Sequence, residues 1–227
     1  MWRNPLKLSE RISLWQNELK TITSDYIIGA DEVGYGSVAG AVCVCALGAF
    51  SDWSMDGLND SKQLSPKRRK ELSLQLEQAH VQQDVEYAIV ERSNECIDAI
   101  GISAALNQAF IEAIGRVIGI LADDDECPTF TVILDGSVDR WKSDRFNAKL
   151  KTIVKADNFV PTVMAASILA KTYRDEQMTK LAEQYPAYNW NKNVGYPTPD
   201  HKAALEKFGI TPLHRKSYEP VKSMVKQ

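Results

Sequence analysis

The feature that most constrains this chain is residues 129–134, six residues of apolar and β-branched character with no charge, followed at once by Asp135. A run that short and that apolar reads as a strand buried on both faces, which requires a sheet covered by helices on both sides. The acid at its end then stands at the rim of that sheet. An ionised carboxylate in such a place needs a partner, because burying it alone is expensive.

The rest of the chain supplies the layers. Residues 26–31 read as a first strand, 34–40 as a glycine-rich turn and 41–50 as a second strand. Residues 85–90 read as a third strand and 152–155 as a short fifth one. The run 38–50, apolar over 13 residues, is too short to span a bilayer and reads as core. A helix is expected over 66–80, with Ser65 as its cap and Pro66 in its first position. A second covers 102–121, where Ile102, Leu106, Ala109, Ala113, Val117 and Ile120 form a core-facing stripe at helical spacing. A third, entered through Pro161, covers 162–184. Strands interleaved with long helices predict one α/β domain with a mixed five-stranded sheet. Residues 1–24 form an expected N-terminal segment, with a helix capped by Ser9 and running to about Lys20. Residues 25–185 form the main domain. Residues 186–227, punctuated by Pro197, Pro199, Pro212 and Pro220, form a helical extension.

Composition excludes some classes. An apolar fraction of 44% is too high for a disordered chain. A net charge of -3 gives no reason to expect a nucleic-acid binder. The distribution is uneven, however. Residues 62–75 hold five basic residues against one acid, and 139–180 hold nine against five. Residues 81–126 hold ten acids against Arg92 and Arg116. A mildly acidic chain can therefore still present a basic face. The N-terminus lacks the apolar stretch of a secretory signal. Cys43, Cys45, Cys96 and Cys127 form no C-x-x-C pair and read as small buried hydrophobes of a reducing cytoplasm. His80, His201 and His214 are too dispersed for a zinc site.

Four carboxylates carry the chemistry. Asp31 and Glu32 close the first strand, Asp135 closes the apolar one, and Asp157 follows the fifth. Hard divalent cations favour all-oxygen sites of this kind. Carboxylates so clustered can hold two metals for in-line phosphoryl displacement. Gly34 and Gly36 follow the acidic pair and let the backbone approach a ligand closely. Their spacing and the strand that follows do not match a dinucleotide-binding loop, which requires a helix there.

Residues 29–40, reading GADEVGYGSVAG, resemble the opening motif of type 2 ribonuclease H (ribonuclease HII). Residues 59–65 (NDSKQLS), the pair Asp135-Gly136, the blocks 155–157 (KAD) and 165–171 (AASILAK) with Arg174-Asp175, and the closing stretches 195–198 (GYPT) and 214–218 (HRKSY) resemble its other motifs in order. Such a resemblance implies an RNase H-like catalytic domain and hydrolysis of the RNA strand of RNA–DNA hybrids. Ribonucleotides embedded in DNA are included, and the ends are 5′-phosphate and 3′-hydroxyl. It implies that Asp31, Glu32, Asp135 and Asp157 are catalytic ligands of Mg²⁺ or Mn²⁺, with two metals. It also implies substrate contacts from Gly34, Tyr35, Gly36, Lys62, Ser167, Lys171 and Tyr196. Tyr35 stands where the family usually has Arg, Ser37 where it has Pro, and Val194 where it often has Lys. Two alternatives stay open: a hybrid-binding module without catalysis, and a type 3-like preference for longer RNA stretches. The expected protein is a cytoplasmic monomer without a membrane segment.

Overall fold

A computed structural model of the protein describes residue 17 and residues 21–122, 127–136 and 147–225. The helix expected after Ser9 and the acidic turn at 123–126 lie outside the described residues. Five strands form one sheet: β1 (Tyr26–Val33), β2 (Val42–Phe50), β3 (Val85–Arg92), β4 (Phe130–Asp135) and β5 (Ala148–Ile153). Their order is β3-β2-β1-β4-β5. The pairs β1–β2 and β2–β3 are antiparallel, and β1–β4 and β4–β5 are parallel. The mixed five-stranded sheet expected from the sequence is the one observed, with β1 and β4 at its centre.

Helices cover both faces. Helix α1 (Pro66–Val81) starts where Ser65 accepts a hydrogen bond from the N–H of Arg68. Helices α2 (Asn94–Ile100) and α3 (Ile102–Leu121) follow β3. Gly101, at a φ of 80°, breaks what would otherwise be one helix. Buried Leu106, Ala109, Ala113 and Val117 of α3 pack on Ile28, Ala30, Val44 and Val132 of the sheet. Ile120, expected in that stripe, is exposed. Helix α3 is long and apolar enough to cross a membrane by length and composition alone. Here its buried stripe lies against the sheet.

The opposite face carries α1 and α4 (Pro161–Gln184), with Leu72, Leu76, Ala165 and Ile168 against Cys45 and Leu47. Helix α4 crosses β1 closely because residue 29 is glycine. A Cβ there would stand 2.3 Å from the backbone of Thr162 and Val163. The last elements are α5 (Trp190–Asn193), α6 (Pro199–Phe208) and α7 (Val221–Val225). Trp190, Tyr188, Leu205 and Val221 pack on Met178 and Ala182 of α4, and on Val38 and Ala39 between β1 and β2.

Three further expectations change. Strand β1 runs two residues past Asp31, so Asp31 and Glu32 lie within it. Strand β5 begins at Ala148 rather than at residue 152, because Lys149 and Lys151 hide its pattern. Lysines suit it as an edge strand, which they protect from further pairing. The third concerns the cysteines: Cys43 and Cys45 are buried and all four are free, but Cys96 is partly exposed and Cys127, just before β4, is exposed.

Candidate active site

The parallel ladder between β1 and β4 ends at the pair Ala30–Leu134. Asp31 and Asp135 are the next residues on the two neighbouring strands, so both leave the ladder at the same level. Asp31 is still paired with Cys45 of β2, and Asp135 with Ile153 of β5. Two residues after Ile153 the chain turns through Lys155, at a φ of 62°, into a short 3-10 turn, Ala156–Asn158. That left-handed residue aims the N–H groups of Lys155 and Ala156 at Asp135, the latter at 3.0 Å. The same turn carries Asp157. Topology thus gathers acids that lie as far as 126 positions apart.

The electrostatics show how near they are. Burial pushes the Asp31 carboxyl up to about 7. A hydrogen bond from the Ser167 hydroxyl opposes the rise, while the charges of Glu32, Asp135 and Asp157 add to it. Burial, then the charge of Asp157, also raises Asp135 against the pull of its two backbone N–H donors. Asp157 is only 3% exposed. Its carboxylate accepts from Lys62 Nζ at 3.2 Å and from Asn158 Nδ2 at 2.7 Å. All four acids therefore share one field. Among the described residues, no group of three or more Asp, Glu, His or Cys closes into a metal cage. The chemistry of the donors, carboxylates alone, is that of a hard oxygen-seeking cation such as Mg²⁺ or Mn²⁺.

The other expected contacts divide. Tyr196 meets the glycine loop: a Cβ on Gly36 would stand 3.7 Å from its ring. Tyr35 is exposed, and its carbonyl accepts from Arg215 Nη1 and from the Tyr218 hydroxyl, both at 3.0 Å. Ser167 is 3% exposed. Its hydroxyl engages Asp31 and lies 2.9 Å from that of Ser61, so it faces the carboxylates from within the fold. Lys171 is paired with Asp175, which also pairs with Arg69. Lys70 pairs with Glu176 and Arg68 with Glu71. Much of the positive charge expected on the face of α1 is thus matched by acids of α1 and α4.

Two residues that hold the loop carried no expected role. Arg174, 1% exposed, donates to the carbonyls of Ala41 (3.1 Å), Ala39 (3.2 Å) and Val194 (2.8 Å) and to the Ser37 hydroxyl (2.9 Å). Its side chain fills the space a Cβ on Gly34 would need, at 2.3 Å from Nε. Arg215, fully buried, donates to Gly40 (3.0 Å) as well as to Tyr35. A signal for Arg174 exists: it stands at helical spacing between Ala170 and Met178, on the buried side of α4. Arg215 has no such periodicity around it.

A sequence profile of the family described as Ribonuclease HII matches residues 28–221. The chain belongs to the ribonuclease HII family. It is 36% identical to the ribonuclease HII of Oceanobacillus iheyensis over 93% of this chain and 75% of that protein. It is 38% identical to that of Christiangramia forsetii over 88% of this chain and 93% of that one. In fold it resembles the ribonuclease H2 of Pyrococcus horikoshii, with a TM-score of 0.64 at 23% identity over 88% and 97% of the two chains. It also resembles the Archaeoglobus fulgidus ribonuclease HII solved with PCNA, with a TM-score of 0.65 at 24% identity over 85% and 95%. A third likeness is the ribonuclease HIII termed Bst, solved with Mn²⁺, with a TM-score of 0.64 at 18% identity over 92% and 71%. These structural likenesses bear on the fold.

Proposed function

We propose that Asp31, Glu32, Asp135 and Asp157 are the catalytic, metal-binding centre with which this ribonuclease H cleaves the RNA strand of RNA–DNA hybrids. The enzyme class and the kind of substrate follow from the family. The observation that carries the assignment of residues is the convergence of the four acids at one edge of the sheet, where burial first, and then the charges of Glu32, Asp135 and Asp157, lift Asp31 to about 7.

A divalent cation, Mg²⁺ or Mn²⁺ and in this reading a pair, supplies Lewis-acid stabilisation of phosphoryl oxygens and a more acidic bound water. The protein's own groups do the rest. Ser167 donates to Asp31 and so fixes which carboxylate oxygen faces outward. The backbone N–H groups of Lys155 and Ala156 do the same for Asp135. Lys62 holds Asp157 and, with its side chain largely exposed, stands ready to meet a phosphate. The backbone of Gly34–Gly36 approaches the strand where no side chain intervenes, which suits reading the ribose 2′-hydroxyl. The Tyr196 ring beside it offers a stacking surface to the sugar. Ser167 acts here by positioning Asp31, and Lys171, paired with Asp175, is a phosphate contact of this reading. Products carry 5′-phosphate and 3′-hydroxyl ends, and the enzyme acts as a cytoplasmic monomer.

The test uses two labelled duplexes with Mg²⁺ or Mn²⁺, one holding a single ribonucleotide and one an RNA stretch. Cleavage of at least one is expected, and Asp135→Asn is expected to lower kcat by about 10³-fold or more. Folded wild-type protein that cleaves neither, or an Asp135→Asn variant with full activity, refutes the reading. The ratio of the two rates places the Tyr35 enzyme between single-ribonucleotide and type 3-like preference.

A further inference from the structure

His201 and His214 are both fully buried, and their Nε2 atoms lie 3.1 Å apart. Their partners fix the tautomer of each. Trp190 Nε1–H can only donate, and it points at His201 Nε2 at 3.1 Å. His201 therefore carries its proton on Nδ1, which lies 2.9 Å from the Tyr196 carbonyl and donates to it. The backbone N–H of Thr211 donates to His214 Nδ1 at 2.8 Å, so His214 carries its proton on Nε2 and, together with Trp190 Nε1–H, shares the single lone pair of His201 Nε2 in a three-centre bond. One directed chain of hydrogen bonds then runs from Thr211 through both rings to the carbonyl of Tyr196.

This chain joins the glycine loop, through His214, to the turn that carries Tyr196. His214 forms a β-bridge with Ala39, and neighbouring Arg215 holds the carbonyls of Gly40 and Tyr35. The Val38 N–H donates to Gly195 at 2.8 Å, which closes the loop back onto the Tyr196 turn. The turn itself is held against conformational preference: Val194 sits at a φ of 43°, where a β-branched residue is strained. A strained turn keeps its shape only when its surroundings over-determine it.

We infer that His201 and His214, as a pair of opposite tautomers, are positioning residues that set Tyr196 against the Gly34–Gly36 loop and so fix the width of the ribose-reading cleft. The inference rests on the reading of Tyr196 and the loop as substrate contacts. The rings touch no reacting atom. Losing the relay therefore weakens binding of ground state and transition state alike, which raises KM and leaves kcat.

The experiment measures KM and kcat on the embedded-ribonucleotide duplex for His201→Phe, which keeps the ring packing, and His201→Asn, whose amide nitrogen keeps the donor to Tyr196. His201→Phe is expected to raise KM about tenfold with kcat within about threefold, and His201→Asn to recover most of that loss. In a Tyr196→Ala background, His201→Phe is expected to add nothing to KM. An unchanged KM in His201→Phe, a fall in kcat alone, or full additivity with Tyr196→Ala overturns the inference. Should His201→Phe not fold, ¹⁵N NMR of the wild-type imidazoles decides: Nδ1–H on His201 with Nε2–H on His214 supports the relay, and any other pairing overturns it. A wild type that cleaves neither duplex counts against the proposed function instead, and leaves the tautomer result standing on its own.

Discussion

Asp31 sets the terms at the scale of the residue. Its folded-state value of about 7 lies above the 3.8 of an unperturbed carboxyl. Between those values the folded chain holds a proton that the unfolded chain has released. The resulting stabilisation is complete below about pH 4 and is lost as pH rises through about 7. In chelator at pH 8, Asp31→Asn is therefore expected to be more stable than wild type, on the order of 2 kcal/mol, with no cleavage activity. The gap should close as pH falls toward 4. His201 and His214, both held below their usual value by burial, act in the opposite sense and cost stability as pH falls. The measurement is accordingly the difference in denaturant midpoint between variant and wild type at each pH. Mn²⁺ at pH 8 should raise the wild-type midpoint and leave that of the variant nearly unmoved. Asp31 also marks what a sequence can display. An acid at the end of an apolar run is visible because the run says where burial begins. The burial of Arg215 is not visible, because its partners are the backbone carbonyls of Gly40 and Tyr35, which any sequence would supply.

Among the elements, the contact of α4 with β1 matters most to the site, since it brings Ser167 to Asp31 and Arg174 to the glycine loop. Gly29 permits it. Gly29→Ala places a methyl group 2.3 Å from the α4 backbone, which cannot yield as a flexible side chain does. The variant is expected to lose about 3 kcal/mol or more in urea unfolding, with a lowered kcat in whatever fraction folds. Stability held at the wild-type level would show that α4 can slide without disturbing the site. The elements most clearly written in the sequence were those whose own residues decide them: β4 by its unbroken apolar run, α1 by its Ser-Pro start, α3 by its stripe. Those less clear depended on neighbours. Strand β5 pairs through its backbone while its lysines face away, and α2 is separated from α3 only by the left-handed turn at Gly101.

Taken as a whole molecule, a chain of net charge -3 has to hold a polyanion. Ion pairs within and between α1 and α4 already match many of the basic residues on that side, so few cations are left for phosphate. Binding should still follow counterion release: log KM rises with log salt, by about one unit of slope for each phosphate neutralised. Lys62→Ala is expected to reduce that slope by about one. A slope unaltered by the change would remove Lys62 from the substrate face and leave it only its bond to Asp157. The sign of the net charge thus says little about the partner, because described acids such as Glu86 and Glu91 of β3, Glu95 and Asp98 of α2 and Glu112 of α3 belong to elements away from the four carboxylates.

The glycine loop between β1 and β2 is held by Gly195, His214 and Arg215, more than 150 residues further along the chain. During synthesis the loop emerges from the ribosome long before its clamp, which follows only after α4 has been made. The four carboxylates are complete once Asp157 is out, yet the loop proposed to read the ribose is not held in place. A chain cut short after α4 by a nonsense codon or a protease would keep all four acids and lose the clamp on the loop proposed to choose what is cut.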